Sequence, residues 1–186
     1  MLIILTGPKH AGKSTAGTLL ARRLAGTFTD LDGAMEAETG KTPRALYREG
    51  IQIFHAAEAR ALAAIMDRAQ GTEKDGVVAA GGGVCDNPAA MALLEKGAVF
   101  IVYLAVSPET AWERIKKSAE KDGLPPFLDT ENPEAVHRAL HERRSKAYRC
   151  RAALTVEAGG KSPDDIAAEI FRTVGNRYAA RAEKRA

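Results

Sequence analysis

The chain is short of several things, and each shortage excludes a class of protein. Cysteine occurs twice in 186 residues, at Cys85 and Cys150, too few for a disulfide framework. No apolar run approaches the about 20 residues that a membrane-spanning helix needs. The amino-terminal apolar run, Leu2 to Leu5, has no basic segment before it and is too short for a secretory signal. An excess of one charge sign is missing too. Net charge is +3, too weak to indicate a nucleic-acid partner, and the basic residues are dispersed apart from a short tail, Arg181 to Arg185, which reads as solvated. Internal repeats and linkers are absent. A cytoplasmic enzyme or binding protein, a monomer without nucleic acid or membrane as partner, is the starting expectation, and the length suffices for one domain with a real core.

What is present is an alternation of strand and helix signals. Leu2 to Leu5 is continuously apolar, as in a strand buried on both faces of a parallel sheet. A helix is predicted over Lys13 to Ala25, a short strand over Phe28 to Leu31, and helix from Pro43 to about Gln70, interrupted near Gly50. Strands follow at Val77 to Ala80, Ala98 to Val106 and Ala153 to Val156. Helices are predicted at Pro88 to Lys96, Pro108 to Lys117, Pro133 to Tyr148 and Pro163 to about Tyr178. Ser118 to Asn132 is polar, carries Gly123-Leu124-Pro125-Pro126 and has no period, so it reads as a mobile loop. The pattern is that of an α/β domain over residues 1–178, with a lid at about 118–132 and a basic tail at 179–186.

One stretch carries strong chemistry. Gly7, Gly12, Lys13 and Ser14 in "LTGPKHAGKST" fit the phosphate-loop pattern, followed by Thr15. Glycines let main-chain N–H groups converge on an anion, and the following helix adds the positive end of its dipole. The lysine can reach β- and γ-phosphates and the serine can ligate Mg2+. Nucleotide binding follows. Lys9 and His10 sit at the loop crest and read as solvent-exposed.

Two weaker signals concern what receives the phosphate. Asp30 and Asp32 are two apart at a strand end, so alternation puts both carboxylates on one side, where parallel sheets bind ligands. One could help to hold Mg2+ and the other could orient or deprotonate an acceptor hydroxyl. Asp32 could equally cap a helix starting near Ala34. Gly81, Gly82 and Gly83 end the third strand, where missing side chains allow close approach of a ligand.

The order phosphate loop, "DLD", "AAGGGV", "IVYLAVSPETAWERI", "ERRSKAY" resembles shikimate kinase over nearly the whole chain. The resemblance implies a three-layer P-loop kinase fold, a five-stranded parallel sheet flanked by helices, with a mobile lid, and transfer of the γ-phosphate of ATP to a hydroxyl of shikimate. It implies that Lys13 contacts the phosphates, that Ser14 and Asp30 serve Mg2+, and that Asp32 holds the acceptor hydroxyl and acts as base. Gly82 and Gly83, with Gly81 beside them, would offer N–H groups to the acceptor. Arg144, or its neighbour Arg143, would grip the acceptor carboxylate, and Arg114 and Pro163 would enclose adenine.

The match breaks at two places. The family pattern has Phe-Arg where this chain has Phe54-His55, and an Arg-Pro in the lid where this chain has Pro125-Pro126. A histidine cannot form the bidentate pair that an arginine forms with a carboxylate. Either another cation compensates, with Arg44, Arg48 and Arg60 as candidates, or the acceptor is another small hydroxylated metabolite. A nucleotide-binding module without transfer is the third reading, disfavoured by the Asp pair and the glycine turn.

Overall fold

The computed structural model describes residues 1–183. Five strands, β1 (Leu2–Thr6), β2 (Thr27–Asp30), β3 (Gly76–Ala79), β4 (Val99–Ala105) and β5 (Leu154–Glu157), form one sheet in the order β2-β3-β1-β4-β5. Every pairing is parallel. The apolar run of β1 divides by parity. Leu2 and Ile4 face one core, with Val78, Ile101 and Tyr103, while Ile3 and Leu5 face the other, with Val77, Phe100 and Val102. That is why the strand shows no polar alternation: it has no solvent face.

Helices cover both faces. On one side α1 (Lys13–Arg23) and α8 (Pro163–Glu183) contribute Leu20, Ile166, Ile170 and Val174. On the other, α4 (Ile51–Gln70) and α5 (Pro88–Lys96) contribute Leu62, Ile65 and Leu94, joined by Met35 of α2 (Leu31–Thr39), Leu46 of α3 (Pro43–Glu49) and Tyr148 of α7 (Pro133–Arg151). The remaining helix is α6 (Pro108–Asp122). None of these helices is long and apolar enough to cross a membrane.

Five of the eight prolines open helices, α3, α5, α6, α7 and α8. In each, the preceding Thr42, Asn87, Ser107, Asn132 or Ser162 accepts a hydrogen bond from a first-turn N–H. Proline fits the first helical position because its missing donor would be unpaired there. Gly50, at φ 154°, separates α3 from α4 as the sequence implied.

Three boundaries differ from the sequence expectation. β2 ends at Asp30 and α2 starts at Leu31 rather than near Ala34. α6 runs on to Asp122, so the first part of the predicted loop is helical. α8 reaches Glu183, taking in most of the stretch read as a tail, while residues 184–186 lie outside the described residues.

Beneath the carboxyl ends of β1 and β3, one polar knot joins α4 to α5. Asn87 caps α5 through Oδ1 and donates from Nδ2 to the His55 carbonyl at 2.8 Å and to Glu58 Oε2 at 2.9 Å. Glu58 is 1% exposed, and its Oε1 has no hydrogen-bond partner. Burial pushes the Glu58 carboxyl from 4.5 up to about 7, against the hydrogen bond from Asn87, with the Asp32 charge adding to the rise.

This knot sets two expectations. Asn87→Ala removes a cap and strands buried acceptors, which should cost roughly 2–4 kcal/mol in urea denaturation, more at pH 8 than at pH 5. A loss under about 0.5 kcal/mol would place Asn87 among ordinary surface positions. For Glu58 the sign follows from proton counting. The folded carboxyl keeps its proton to about pH 7 and the unfolded one releases it near 4.5, so the folded state loses stability as pH rises between those values. Relative to Glu58→Gln, the wild type should lose on the order of 3 kcal/mol across that window. A pH-independent difference would show that Glu58 is ionised throughout.

Candidate active site

A cleft of about 1030 Å³ opens at the carboxyl ends of the strands, lined by the phosphate loop on one side and by α3, the start of α4 and α7 on the other. In the loop, Gly7 and Gly12 take φ of +140° and +91°, conformations that side chains oppose. Gly12 caps α1 without any side-chain hydrogen bond, which leaves first-turn N–H groups of α1 for an anion. Lys13 Nζ folds back on its own loop, donating to the carbonyls of Gly7 at 3.0 Å and Pro8 at 2.8 Å. Burial lowers the Lys13 ammonium to about 8, against the opposing charges of Asp32 and Asp30, so it remains largely charged at neutral pH. Ser14 and Thr15 line the same cleft, and Lys9 and His10 are exposed.

The Asp pair reaches the cleft by a route that strand alternation did not describe. Asp30, the last residue of β2, is itself the cap of α2: its Oδ1 accepts the N–H of Asp32 at 3.1 Å, while its Oδ2 accepts from Ser14 Oγ at 2.5 Å. Asp32 lies in the first turn of α2 and is not the cap, which removes that reading. Its carboxyl is raised above its usual value by burial first and by the neighbouring Asp30 charge second, with Lys13 opposing. A carboxylate so placed is a stronger proton acceptor than one in water.

Beside the loop, at the end of β3, none of the N–H groups of Gly81, Gly82 and Gly83 donates a hydrogen bond within the described residues. A Cβ at these three positions would come within 3.0 Å of Glu58 Oε1, 3.1 Å of the Lys9 nitrogen and 3.1 Å of Arg144 Nη2. The bare turn therefore admits the protein's own groups, whereas the sequence suggested only a ligand. Tyr148 fastens it, donating from its hydroxyl to the Gly82 carbonyl at 3.1 Å.

Arg144 is set rigidly beside this turn. Its Nε and Nη2 both reach Asp86 Oδ2, at 2.9 and 2.8 Å, and its guanidinium lies 5.3 Å from the Phe127 ring centre. Arg143 also pairs with Asp86, at 2.8 Å, but its side chain is 59% exposed against 18% for Arg144. Both arginines line the cleft, and Arg144 is the more buried of the two. Burial draws the Asp86 carboxyl upward, yet the Arg143 hydrogen bond and the Arg144 charge outweigh it and hold Asp86 below its usual value. His55 lines the cleft, half-buried, with its ring 6.0 Å from that of Phe54. Tyr47, Ile51, Pro126 and Phe127 give that end an apolar wall.

Of the three compensating candidates only Arg44 lines the cleft; Arg60 pairs with Glu38 instead. Arg114 and Pro163 do not line it. Arg114 donates to the His10 carbonyl at 2.9 Å, bracing the loop crest, and Pro163 opens α8. The sequence expected an irregular lid, but after α6 the chain makes a 3-10 turn (Pro126–Leu128), with Leu124, Phe127 and Leu128 packed on Trp112, Ile115 and Val136. Sequence reading missed Asp86, Asn87 and Phe127. Asn87 had a signal, since it precedes a helix-opening proline; Asp86 had none.

Comparison with known proteins agrees with this geometry. The profile of the family described as shikimate kinase matches residues 9–175. A shikimate kinase of Pseudomonas entomophila is 38% identical over 171 residues, 91% of this chain and 93% of its own length. One of Marinomonas sp. is 34% identical over 173 residues, 92% and 91% of the two chains. A shikimate kinase from Acinetobacter baumannii, solved in complex with shikimate, superposes with a TM-score of 0.82 at 30% identity over 95% of this chain and 93% of that one. The chain belongs to the shikimate kinase family.

Proposed function

We propose that the protein transfers the γ-phosphate of ATP to a hydroxyl group of shikimate. The observation that carries this reading is that one cleft holds a phosphate loop, a carboxylate of raised basicity, Asp32, and a fixed arginine, Arg144, on the far side of the glycine turn. Membership of the family and the likeness to a shikimate-bound neighbour support the choice of acceptor.

In this reading the chain's residues divide the work by position. The loop N–H groups and Lys13 neutralise phosphate charge, which requires Lys13 to exchange its loop carbonyls for phosphate oxygens. Asp32 accepts the proton of the acceptor hydroxyl as the oxygen–phosphorus bond forms and the bond to the ADP leaving group breaks. The free N–H groups of the glycine turn and the guanidinium of Arg144 hold the acceptor, its carboxylate towards Arg144. Mg2+ fits Ser14 and Asp30, whose hard oxygens already stand together at 2.5 Å beside the loop. A cation that retains waters and phosphate oxygens needs few protein ligands, and when bound it would offset charge on the phosphates. His55 and the Phe54 ring would border the acceptor.

ADP release should depend on shikimate and on Mg2+. Asp32→Asn should lower kcat about 100-fold or more, in the range of a lost general base, while the KM for ATP changes by less than about three-fold. If Asp32→Asn only lowered the melting temperature and left turnover intact, Asp32 would be a structural residue. Lys13→Ala should abolish transfer; because Lys13 also ties Gly7 and Pro8, a small fall in melting temperature is expected with it. Retention of more than a few per cent of the rate would remove Lys13 from the phosphate site.

A further inference from the structure

Of the three arginines that line the cleft, two share one carboxylate: Arg143 and Arg144 both pair with Asp86. The third, Arg44, has no carboxylate partner among the described residues. Its Nη1 donates to the Leu124 carbonyl and its Nη2 to the Gly123 carbonyl, each at 3.1 Å. Guanidinium has five N–H donors and cannot lose its charge, so two are engaged by neutral acceptors and three are left. A half-buried cation without a counter-charge is an unfavourable arrangement unless an anion completes it.

The position says which anion. Arg44 is on α3, one turn before Tyr47, whose ring packs against Phe54 at 5.8 Å. These belong to the apolar wall opposite the phosphate loop. The carbonyls that Arg44 holds start the segment leading to Phe127, which lies against Arg144. Arg44 and Arg144 thus grip the same lid segment, at Gly123–Leu124 and at Phe127 respectively. We propose that Arg44 is a specificity-determining residue that binds the carboxylate of the acceptor while its two carbonyl bonds hold the lid segment over the cleft; this rests on the functional reading given above. Substrate charge and lid closure would then be coupled through one side chain. The fork of a guanidinium suits this double task, and a lysine, a single point of donation, does not.

The test compares shikimate with its analogue in which the carboxylate is reduced to a primary alcohol. Steady-state constants for both are measured in the wild type, Arg44→Gln, Arg44→Lys and the control Arg48→Gln. The single tryptophan, Trp112, is packed beneath the lid segment, so its fluorescence reports closure in the same samples. In the wild type the carboxylate should be strongly preferred, and shikimate should alter Trp112 emission. Arg44→Gln should raise the KM for shikimate roughly 10- to 100-fold, narrow the preference over the alcohol by a similar factor, and abolish the emission change at concentrations that saturate the wild type. Arg44→Lys, which keeps charge without the fork, should recover part of the preference but not the emission change, and it serves in place of Arg44→Gln if that variant does not fold. Arg48, exposed on the same helix and outside the cleft, should leave all values as in the wild type. Shikimate turnover by the wild type together with an unchanged preference in both Arg44 variants overturns this assignment and leaves the functional reading standing. Absence of shikimate-dependent turnover in the wild type overturns the functional reading, and the assignment falls with it.

Discussion

Three residues without side chains hold the two halves of the cleft together. At Gly81, Gly82 and Gly83 a single methyl group would meet Glu58, the main chain of the phosphate loop at Lys9, or Arg144. Neither the loop backbone nor Arg144, pinned by Asp86, can give way at low cost. The turn is therefore a wall shared by the phosphate loop and Arg144. Its neighbour on the loop is main chain, and its other two neighbours are side chains held in place, Glu58 by Asn87 and Arg144 by Asp86. Tyr148 and the Asn87–Glu58 knot support it from below. A transfer reaction between two bound molecules requires that kind of fixed spacing, and in the proposed reading the turn and the side chains pinned beside it would supply it.

Much of this was legible in the sequence because the signals are local. A proline preceded by Thr, Ser or Asn marks a helix start wherever it falls, and the phosphate loop states its own geometry through Gly7, Gly12 and Lys13. The continuous apolar run of β1 told of a sheet covered on both faces. The ordered motifs resembled the family that the comparisons then showed. What stayed hidden depends on partners far apart in the chain. Glu58 and Asn87 are 29 residues apart, and Asp86 and Arg144 are 58 apart. Nothing near Asp86 in sequence indicates that it will hold two arginines. Asp30 shows a subtler failure: one carboxylate ends a strand, caps the next helix and receives the Ser14 hydroxyl. Strand alternation gave a correct outcome for the Asp pair through a wrong mechanism.

The extent of the predicted loop differs from the structure for a related reason. Residues 118–121 include one apolar residue, Ala119, and bury none of their side chains fully, so periodicity gave no reason to extend a helix through them, yet α6 continues. The apolar residues that follow were too few to show a period, but Leu128 is fully buried and Leu124 and Phe127 pack beside it. The segment is a hydrophobic plug whose partners, Trp112, Ile115 and Val136, lie on the two helices it connects. Mobility here would mean withdrawing that plug as a unit, a hinge movement rather than the fluctuation of an unstructured loop.

The same cleft contains two kinds of charge, and the contrast bears on how the fold tolerates its own site. Asp86 with Arg143 and Arg144 is compensated inside the protein, and Asp86 is held below its usual value. Lys13, Asp32 and Glu58 are all moved towards their neutral forms, with burial the largest cause in each. The compensated set positions a side chain; of the uncompensated set, Lys13 and Asp32 line the cleft, whereas Glu58 is tied to Asn87 beneath it. Such groups lower the stability of the empty protein, since each loses hydration without gaining a full partner. In the proposed reading phosphate would supply the missing counter-charge for Lys13, and an acceptor hydroxyl would supply a donor for Asp32. Binding free energy then appears as added stability of the folded state in proportion to ligand concentration over Kd. In the proposed reading two of the destabilised groups, Lys13 and Asp32, change partners during transfer, whereas Glu58 stays in the knot with Asn87; beneath them the core is apolar on both faces of the sheet.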